Sequence, residues 1–415
     1  MEQRQTKNII VLGAGIVGVA TALYLQRDGH AVTLIDRDDP GEGCSSGNAG
    51  IIARYSVLPL ATHAALREVP RMLLDPLGPL CIRWRYLPRL LPWLLRFLNS
   101  TGRRQVIAAC EALAALQRHT LDAYWALIDQ AGARDLVRTN GVLFPYESEK
   151  KFAADAAKRT LASEHGAMVK ELSGDEAREL EPALSPHIKC ATFSAESAHT
   201  VNPLRLVKVM AQDLARRGAT IKRADVTGVE ANASGIVVHS DGDRYRGDMV
   251  VIALGAWSGK FAAGLGSPVP LDTERGYHVV IPDAGIELTL PVLFPEYKFA
   301  ASSMEMGLRL AGTVELAGVD APPNYARARV LLNHGQRLLP GLRRAEYSQW
   351  MGCRPTLPDS LPVISRSPHH ANVYFAFGHH HLGLTLGPIT GRLIADLVAG
   401  RDSIVDLRPY RIDRF

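Results

Sequence analysis

Three glycines and one acid near the start of the chain have the types and spacing that bind a dinucleotide. Gly13, Gly15 and Gly18 form a G-x-G-x-x-G motif, and Asp36 follows about 20 residues later. The first glycine permits a tight turn, the second lets the backbone approach a pyrophosphate, and the third lets a helix pack closely on a strand. A helix N-terminus favours a phosphate, and Asp36 can accept hydrogen bonds from a ribose diol. The motif does not say which dinucleotide binds.

A strand, a helix and a second strand must position these residues, and the sequence predicts all three. The apolar run at residues 9–12 predicts a buried strand, residues 19–27 predict a helix, and residues 31–35 predict the next strand. A glycine motif in this context is much more specific than the motif alone.

The composition is that of a globular protein with room for two domains. The chain has 415 residues, of which 47% are hydrophobic and 21% charged, and its net charge is +5. Because the basic residues are scattered, no nucleic-acid partner is predicted. The five cysteines are widely spaced and form no C-x-x-C pair. We therefore expect neither a disulfide framework nor a zinc site, and a reducing compartment fits best.

The sequence also predicts where the protein resides. The N-terminal residues lack the apolar core of a signal peptide, and no stretch reaches about 18 uninterrupted apolar residues, so we expect a cytoplasmic protein without a membrane-spanning helix. Residues 80–98 mix tryptophan, leucine and arginine. This composition favours a buried helical hairpin whose arginines extend to solvent. Peripheral contact at the inner face of the cytoplasmic membrane is the alternative.

In the rest of the sequence, segments with a β-α-β pattern are separated by two stretches that lack this pattern. Residues 58–98 are predicted to be helical with several proline breaks. The other predicted elements, in chain order, are a helix at 111–132, a strand pair around 135–146, a helix at 148–166, a helix at 204–217 with Asn202 as cap and Pro203 at its first position, strands at 220–223, 226–231 and 235–240 with a turn at Asp241-Gly242, a strand at 248–255, short antiparallel strands across 268–349, a strand at 372–378, and a helix at 390–399 ending at Gly400.

This order predicts an α/β protein with two domains. A Rossmann-like nucleotide-binding domain is expected from the discontinuous segments 1–75, 186–266 and 350–415. A substrate domain with a mainly antiparallel β-sheet and helices is expected from residues 76–185 and 267–349.

Five motifs in this order resemble the D-amino-acid oxidase / glycine oxidase (DAO) superfamily of FAD-dependent oxidoreductases, and the resemblance covers essentially the whole chain. They are the glycine motif with Asp36; Ser45-Ser46-Gly47-Asn48-Ala49-Gly50; Leu254-Gly255-Ala256-Trp257-Ser258; Gly352-Cys353-Arg354-Pro355-Thr356-Leu357-Pro358-Asp359; and Gly378-His379-His380-His381-Leu382-Gly383-Leu384-Thr385. S-x-x-N-A-G and the R-G-Y-H of Arg275-Gly276-Tyr277-His278 look most like the bacterial D-amino-acid dehydrogenase small-subunit-like proteins.

The resemblance implies FAD as the cofactor and suggests which residues hold it. The loop from Ser45 to Gly50 is expected against the diphosphate and the isoalloxazine, Gly255 at the phosphates, and Val226 near the adenine. Backbone amides at Gly383, Leu384 and Thr385 would stabilise negative charge on the reduced flavin. The full set of expected FAD contacts is Gly13, Ala14, Gly15, Ile16, Val17, Gly18, Asp36, Arg37, Ser45, Ser46, Asn48, Ala49, Gly50, Ile51, Val226, Gly255, Trp257, Gly352, Arg354, Gly378, His381, Leu382, Gly383, Leu384 and Thr385. From the residues alone, Val226 and Trp257 could equally be core side chains.

Arg354 is the predicted substrate anchor. A guanidinium binds a carboxylate through two parallel hydrogen bonds, which fix its orientation as well as its position. In the family, the arginine of a G-x-R-P motif does this, and Gly352-Cys353-Arg354-Pro355 matches the motif. The alternative is a surface arginine in a proline-rich loop.

Tyr277 is the second substrate candidate, and Arg275 and His278 are expected to assist it. Its hydroxyl is suited to bond the same carboxylate or to cover the pocket, although a strand tyrosine is more often a packing residue. We predict Arg354, Tyr277 and His278 as catalytic residues, with Arg275 and His380 as further substrate contacts.

Two features invite other chemistry. The consecutive histidines at 379–381 suggest a metal, but side chains that follow one another on a strand alternate between its faces, so no metal site is predicted. Some relatives in the sarcosine oxidase branch attach FAD through a cysteine in the stretch that holds Cys353. That cysteine aligns with Gly352, one residue away, so non-covalent FAD is predicted.

These observations together predict an FAD-dependent D-amino-acid dehydrogenase. The resemblance implies hydride transfer from the substrate Cα to flavin N5, giving an imino acid that hydrolyses to a 2-oxo acid and ammonia, or a pyrroline carboxylate from D-proline or hydroxy-D-proline. The electrons would pass to a quinone or another carrier. The open alternatives are a glycine/sarcosine-type oxidase that uses O2 and a non-catalytic flavoprotein subunit of an electron-transfer complex. An NAD(P)-dependent enzyme would leave residues 378–385 unexplained.

Overall fold

A computed structural model describes residues 6–73, 75–343 and 345–415. Its strands are β1 Asn8–Leu12, β2 Ala31–Asp36, β3 Ile51–Ile52, β4 Leu80–Ile82, β5 Val137–Arg138, β6 Val142–Tyr146, β7 Lys170–Ser173, β8 Cys190–Ser194, β9 Ala198–Thr200, β10 Thr220–Arg223, β11 Val226–Asn232, β12 Gly235–Ser240, β13 Arg244–Gly247, β14 Met249–Ile252, β15 Asp272–Ile281, β16 Val292–Phe294, β17 Phe299–Met304, β18 Gly307–Leu316, β19 Ser348–Thr356, β20 Val363–Arg366 and β21 Val373–Phe377. Its α-helices are α1 Ile16–Arg27, α2 His63–Leu73, α3 Leu87–Asn99, α4 Arg103–Arg118, α5 Thr120–Ala131, α6 Glu149–Ala154, α7 Ala156–Glu164, α8 Gly174–Leu180, α9 Pro203–Arg216, α10 Ser258–Gly264, α11 Ala326–Leu338 and α12 Gly383–Ala399.

The first sheet has the strand order β10-β2-β1-β14-β21-β20, and all its pairings are parallel except β20 with β21. Its inner strands β1, β14 and β21 are almost entirely apolar because both of their faces are covered, as is usual for parallel sheets. Ile9 and Val11 of β1 pack with α1 and α12. Ile10 and Leu12, which point the other way, pack with β11 and β12. The sheet therefore holds the β1–α1 turn at the carboxyl end of its central strands.

The second sheet is mixed and larger, with the order β19-β15-β18-β17-β16-β6-β8-β7 and β4 paired to β18. Strands β15, β17, β18 and β19 pair antiparallel with one another, as predicted for much of residues 268–349. Helix α11 packs its apolar side on the core of this sheet. The predicted fold class, an α/β protein with a largely antiparallel second sheet, is confirmed.

Several element boundaries differ from the prediction. The helix predicted at 111–132 is two helices, α4 and α5, separated at His119, and the one predicted at 148–166 is α6 and α7, separated at Asp155. The strands predicted as a pair around 135–146 are β5 and β6, which belong to different sheets. Helix α9 begins as predicted, with the Asn202 side chain accepting a hydrogen bond from the Arg205 amide at 3.0 Å.

The predicted domain boundaries do not coincide with the sheets. Strands β8 and β19 both belong to the second sheet, although residues 186–266 and 350–415 were assigned to the nucleotide-binding domain. The division of the chain into two domains stays a prediction.

The proline-rich region after residue 58 contains α2, β4 and α3, and residues 80–98 form β4, a 3-10 turn and most of α3 rather than the predicted helical hairpin. Helix α3 packs Leu90 and Trp93 inward, against Leu316 of β18. Its opposite side is exposed, with Leu91 50% and Leu95 59% accessible. By length and composition one segment of the described chain, His380–Ala399, is apolar enough to cross a membrane, but 72% of it is buried, as in the core helix of a globular fold.

Candidate active site

One large cavity connects the glycine motif to the second sheet. It encloses about 1200 Å³ and runs from the β1–α1 turn, past β15, β18 and β19, to the side chains of α2 and α3. A typical ligand pocket encloses roughly 300–1,000 Å³. The cavity therefore has room for a dinucleotide and a small substrate together.

At the dinucleotide end, two glycines are required by the backbone itself. Gly13 has a φ of +103°, and a Cβ there would lie 2.3 Å from the Ala253 carbonyl oxygen. A Cβ on Gly18 would lie 1.7 Å from the Gly13 oxygen. Gly15, Ile16 and Val17 line the cavity. Ala14 and Gly18 are absent from its wall, so Gly18 acts through close packing of helix and strand, as the motif predicts.

Asp36 lies at the carboxyl end of β2 and faces the cavity. Its carboxylate accepts hydrogen bonds from the amides of Ala14 at 2.6 Å and Asp38 at 3.1 Å. Burial raises the pKa of this carboxyl above its usual value. Nearby, the Arg37 guanidinium lies 4.1 Å from the centre of the Trp257 ring. Since Trp257 is 37% exposed and lines the cavity, it is not a core side chain.

The loop from Ser45 to Gly50 is fixed from both sides. The Ser45 hydroxyl accepts a hydrogen bond from the Ile16 amide at 3.0 Å and so caps the start of α1. Arg309 of β18 donates to the carbonyls of Ser46 at 2.7 Å and Asn48 at 2.6 Å. The Trp350 ring lies over Gly47, where a Cβ would be 1.8 Å from the indole. The second sheet therefore positions this loop.

Residues 379–385 line the cavity as a helical turn rather than a strand. His380–Leu382 forms a 3-10 turn that leads directly into α12. Gly383, Leu384 and Thr385 form the first turn of α12, whose amides have no acceptor within the helix, and all three line the cavity. This geometry suits the predicted amide donors.

The three histidines are bonded separately and remain neutral. His379 bonds Thr390 at 2.9 Å, and His380 bonds Thr356 at 2.8 Å. The third ring, His381, is 3.4 Å from Ser56. Burial lowers the pKa of His379 and of His380 to about 3. The His381 ring is exposed, and desolvation by the cavity wall together with the charge of Arg354 lowers its pKa. Within the described residues, no group of three or more His, Cys, Asp and Glu side chains is placed to hold a metal ion.

Arg354 presents its guanidinium to the cavity from β19. Its Nη1 donates to the Thr313 carbonyl at 3.1 Å, and the guanidinium lies across Gly276 of β15. A Cβ on Gly276 would be 2.1 Å from Nη2, so only glycine leaves this space open. Arg354 is thus held on one side and keeps other N–H groups for a ligand.

Two of the other predicted substrate contacts, Arg275 and His278, do not face the cavity as Arg354 does, and this corrects the prediction. Arg275 and His278 are absent from the cavity wall. Arg275 is fully buried, 3.4 Å from Glu315, because it points to the opposite side of β15. His278 bonds the Gly47 carbonyl at 3.2 Å and stacks on Trp350.

Tyr277 and His380 line the cavity, but their polar atoms are already bonded within the protein. The Tyr277 hydroxyl donates to Glu315 and accepts from the Asn324 amide at 3.0 Å. Both ring nitrogens of His380 have partners, Thr356 and the Leu357 amide. Neither side chain has the free donor that a direct carboxylate contact requires.

Most of the predicted cofactor contacts meet in the cavity, and a few stand behind it. On the wall are Gly13, Gly15, Ile16, Val17, Asp36, Arg37, Ser45, Asn48, Ala49, Ile51, Val226, Gly255, Trp257, Gly352, Arg354, His381, Leu382, Gly383, Leu384 and Thr385. Absent from the wall are Ala14, Gly18, Ser46, Gly50 and Gly378.

Three of the wall residues that were not predicted lie close to Arg354. Gly276 interrupts a strand, which often marks a close approach by another group. Glu274 is a charged residue within a buried strand, which is a weaker signal. Thr313 has a φ of +58° at a shift of register between β15 and β18. Because a β-branched residue rarely adopts this conformation, no sequence signal points to Thr313.

Comparison with known proteins agrees with this geometry. The model of the DAO family, described as FAD dependent oxidoreductase, matches residues 8–397. This chain belongs to the DAO family.

Other members resemble it over their full length. A D-amino-acid oxidase of Bradyrhizobium diazoefficiens is 36% identical, covering 99% of each chain. A D-amino acid dehydrogenase of Paramagnetospirillum magneticum is 31% identical, covering 98% of each. Among solved structures, glycine oxidase from Geobacillus kaustophilus shares the fold, with a TM-score of 0.75 at 22% identity over 99% of each chain.

FAD, the cofactor of the DAO family, fits the observed cavity. The glycines leave the space that a diphosphate needs, and Asp36 supplies an acceptor for a ribose. The first turns of α1 and α12 both present amides to the cavity, the first beside the glycine motif and the second at Gly383, Leu384 and Thr385. The predicted recognition, enzyme class and cofactor are confirmed at this level.

Proposed function

We propose that this chain is an FAD-dependent D-amino-acid dehydrogenase in which Arg354 binds the substrate carboxylate. The position of the Arg354 guanidinium carries the proposal. Within the described chain, Thr313 alone accepts a hydrogen bond from Arg354, which leaves donors for the fork-like binding of a carboxylate. The relatives named D-amino-acid oxidase and D-amino acid dehydrogenase support the substrate class.

The residues of this chain supply orientation and electrostatics. When bound, FAD accepts the electron pair that leaves the substrate Cα. Arg354 fixes the carboxylate, so that the Cα–H bond has one orientation in the cavity. The first-turn amides of α12 favour negative charge beside them. Oxidation of a primary amine gives an imino acid, which hydrolyses to a 2-oxo acid and ammonia. D-Proline or hydroxy-D-proline would give a pyrroline carboxylate instead.

FAD is held non-covalently in this proposal. Cys353 is buried, and burial raises the pKa of its thiol. A thiol is a poor nucleophile compared with its thiolate. Cys353 is therefore poorly prepared to form a covalent bond.

A membrane quinone is the electron acceptor that the surface of the protein favours. The exposed side of α3 carries Leu91, Leu95 and Leu98 among arginines, and Trp84, which precedes the helix, is 72% exposed. Apolar side chains with nearby arginines suit an interface with anionic lipid. Leu94 and Leu98 of α3 line the same cavity as Arg354. The cavity therefore offers an apolar route from α3 to the proposed reaction site.

Anaerobic bleaching of the bound flavin tests the substrate class directly. A panel of D- and L-amino acids, including D-proline and hydroxyprolines, should bleach the wild-type protein with D-amino acids only. Arg354→Lys keeps the charge but loses the fork, and should raise KM by roughly 10- to 100-fold, since a hydrogen bond to a charged group contributes about 1.5–3 kcal/mol. Unchanged substrate binding in Arg354→Ala would show that Arg354 does not bind the substrate carboxylate.

Oxygen uptake separates the two acceptor alternatives. Rapid peroxide formation with a D-amino acid would favour an oxidase, as the name of the relative from Bradyrhizobium suggests for that protein. Slow uptake with fast reduction of a soluble quinone would favour the dehydrogenase. Flavin that no amino acid bleaches would favour the non-catalytic subunit.

A further inference from the structure

Glu274 lines the cavity beside the proposed carboxylate anchor. It lies directly opposite Arg354 in the register of β15 and β19. Residues opposed across an antiparallel pair have Cβ atoms about 4.5–5.5 Å apart. The two side chains take their hydrogen bonds elsewhere, Arg354 to Thr313 and Glu274 from Thr356. The cavity thus presents a cation and a carboxyl side by side, a pattern complementary to a zwitterion.

A chain of hydrogen bonds behind Glu274 runs in one direction only. The Leu357 amide donates to His380 Nε2 at 3.1 Å, so the proton of the neutral ring lies on Nδ1. That proton is donated to Thr356 Oγ1 at 2.8 Å, which leaves the Thr356 hydroxyl to donate to Glu274 Oε1 at 3.1 Å. Every bond in the chain points toward Glu274, and Glu274 can only accept.

The backbone at His380 indicates that this chain is held under constraint. His380 has a φ of +52°, in the left-handed region that favours glycine. Such conformations persist where the surroundings over-determine them, and they cluster at functional sites. Here the ring is fixed by both its nitrogens, on the Thr356 hydroxyl and the Leu357 amide.

We infer that Glu274 binds the ammonium group of the substrate and removes its proton before the Cα–H bond breaks. This rests on the proposed amino-acid oxidation. The N–H bond breaks, the proton goes to a carboxylate oxygen of Glu274, and the electron pair stays on nitrogen. As the Cα hydrogen leaves with its two electrons for the bound FAD, that pair forms the C=N bond of the imino acid.

The surroundings of Glu274 suit a base that works near neutral pH. Burial raises the pKa of Glu274 above its usual value, and Arg354 and Thr356 oppose the rise. The other titratable groups around it are Asp272 on its own strand and His380 behind Thr356. A base whose pKa lies nearer the working pH is a more efficient proton acceptor.

Glu274→Gln removes the base while keeping the shape and the acceptor for Thr356. Only substrate that is already a free amine would then react. We expect kcat/KM at pH 7 to fall by about 100-fold or more, and to rise with pH up to the pKa of the free substrate amine. Thr356→Val should move the acid limb of the wild-type profile to higher pH, because the lost hydrogen bond had stabilised the carboxylate.

A binding measurement on the holoenzyme gives a second readout that does not need turnover. 2-Aminoisobutyrate has no Cα hydrogen and cannot be oxidised, and isobutyrate is the same skeleton without the amine. Flavin absorbance titrations should show Glu274→Gln losing about tenfold or more in affinity for 2-aminoisobutyrate, with isobutyrate nearly unchanged. Arg354→Lys should weaken both ligands.

Asp272→Asn is the matched control. It removes a half-buried carboxylate two positions away on the same strand that does not line the cavity. It should keep the wild-type preference for 2-aminoisobutyrate, and the acid limb of its pH profile should move, if at all, to lower pH, because the Asp272 charge raises the pKa of Glu274. The inference is overturned if Glu274→Gln also keeps that preference. If the wild-type flavin is bleached by no amino acid, the proposed function fails instead.

Discussion

At the scale of the single residue, Gly276 sets the position of the Arg354 guanidinium by having no side chain. A Cβ there would lie 2.1 Å from Nη2 and 2.3 Å from Cζ. We expect Gly276→Ala to displace the guanidinium and to raise KM for the amino acid by roughly 10- to 100-fold, since a hydrogen bond to a charged group contributes about 1.5–3 kcal/mol. The flavin content of the purified protein should not change. Steady-state kinetics and the absorbance of bound flavin measure both.

Gly228→Ala provides the matched control. Gly228 also lies in a strand, β11, but a Cβ added there has no atom within 4 Å. Its KM should equal that of the wild type. A wild-type KM in Gly276→Ala would contradict the view that Arg354 binds substrate from its observed position.

The sequence predicts some site residues well and others not at all, for physical reasons. The sequence alone predicts that Arg354 and the glycine motif lie at the cavity, because each belongs to a short local motif that requires its residue type. Arg275, Tyr277 and His278 lie within four positions of one strand, and a strand sends successive side chains to opposite faces. Which face meets the cavity depends on the pairing of β15 with β18 and β19, which are separate segments later in the chain. The same register decides that Glu274 faces the cavity, opposite Arg354.

At the scale of the secondary-structure element, α1 and α12 depend on glycines for close packing. A Cβ on Gly391 would lie 2.7 Å from the Ala20 carbonyl carbon of α1, and one on Gly387 would be 3.0 Å from Ile16. These glycines and Pro388 disfavour a helix locally. That is why the sequence predicts α12 only from residue 390, whereas burial against α1 stabilises it from Gly383.

The contact between α1 and β1 allows a test of cofactor binding. Gly18→Ala would place a Cβ 1.7 Å from the Gly13 oxygen, so the turn at Gly13 must move. We expect the purified variant to contain less than a tenth of the wild-type FAD, and its melting temperature to rise less on addition of FAD, because a ligand stabilises only the state that binds it. Gly264→Ala, at the end of α10 with open space around the added Cβ, should bind FAD normally. Full FAD occupancy in Gly18→Ala would refute this role of the packing.

At the scale of the whole molecule, the cavity joins three parts that are distant in the sequence. It begins at the first sheet, is walled by the second, and reaches α2 and α3. The exposed side of α3 is therefore next to the reaction site rather than on an unrelated surface. An acceptor that enters beside α3 would not need to cross the protein. The proposed quinone and the proposed membrane contact are thus two consequences of one arrangement.

Leu91→Ser with Leu95→Ser tests the membrane contact in the holoenzyme. Both leucines are at least half exposed, so the changes should leave the melting temperature unchanged. Burying one leucine contributes about 1.5–3 kcal/mol, so binding to vesicles of phosphatidylglycerol and phosphatidylcholine should fall by roughly 100-fold or more. Added salt should weaken wild-type binding, because the arginines beside the leucines attract anionic headgroups. Vesicle flotation measures both effects.

Met168→Ser is the control for this surface, since Met168 is 62% exposed and is not a cavity residue. It should bind vesicles as the wild type does. In the double variant, bleaching by a D-amino acid should stay normal, while reoxidation by a quinone embedded in the vesicles should slow in step with the lost binding. Wild-type protein that stays in solution with anionic vesicles at low salt would rule out the contact through α3. The substrate chemistry at Arg354 would stand, and the acceptor would then have to be soluble.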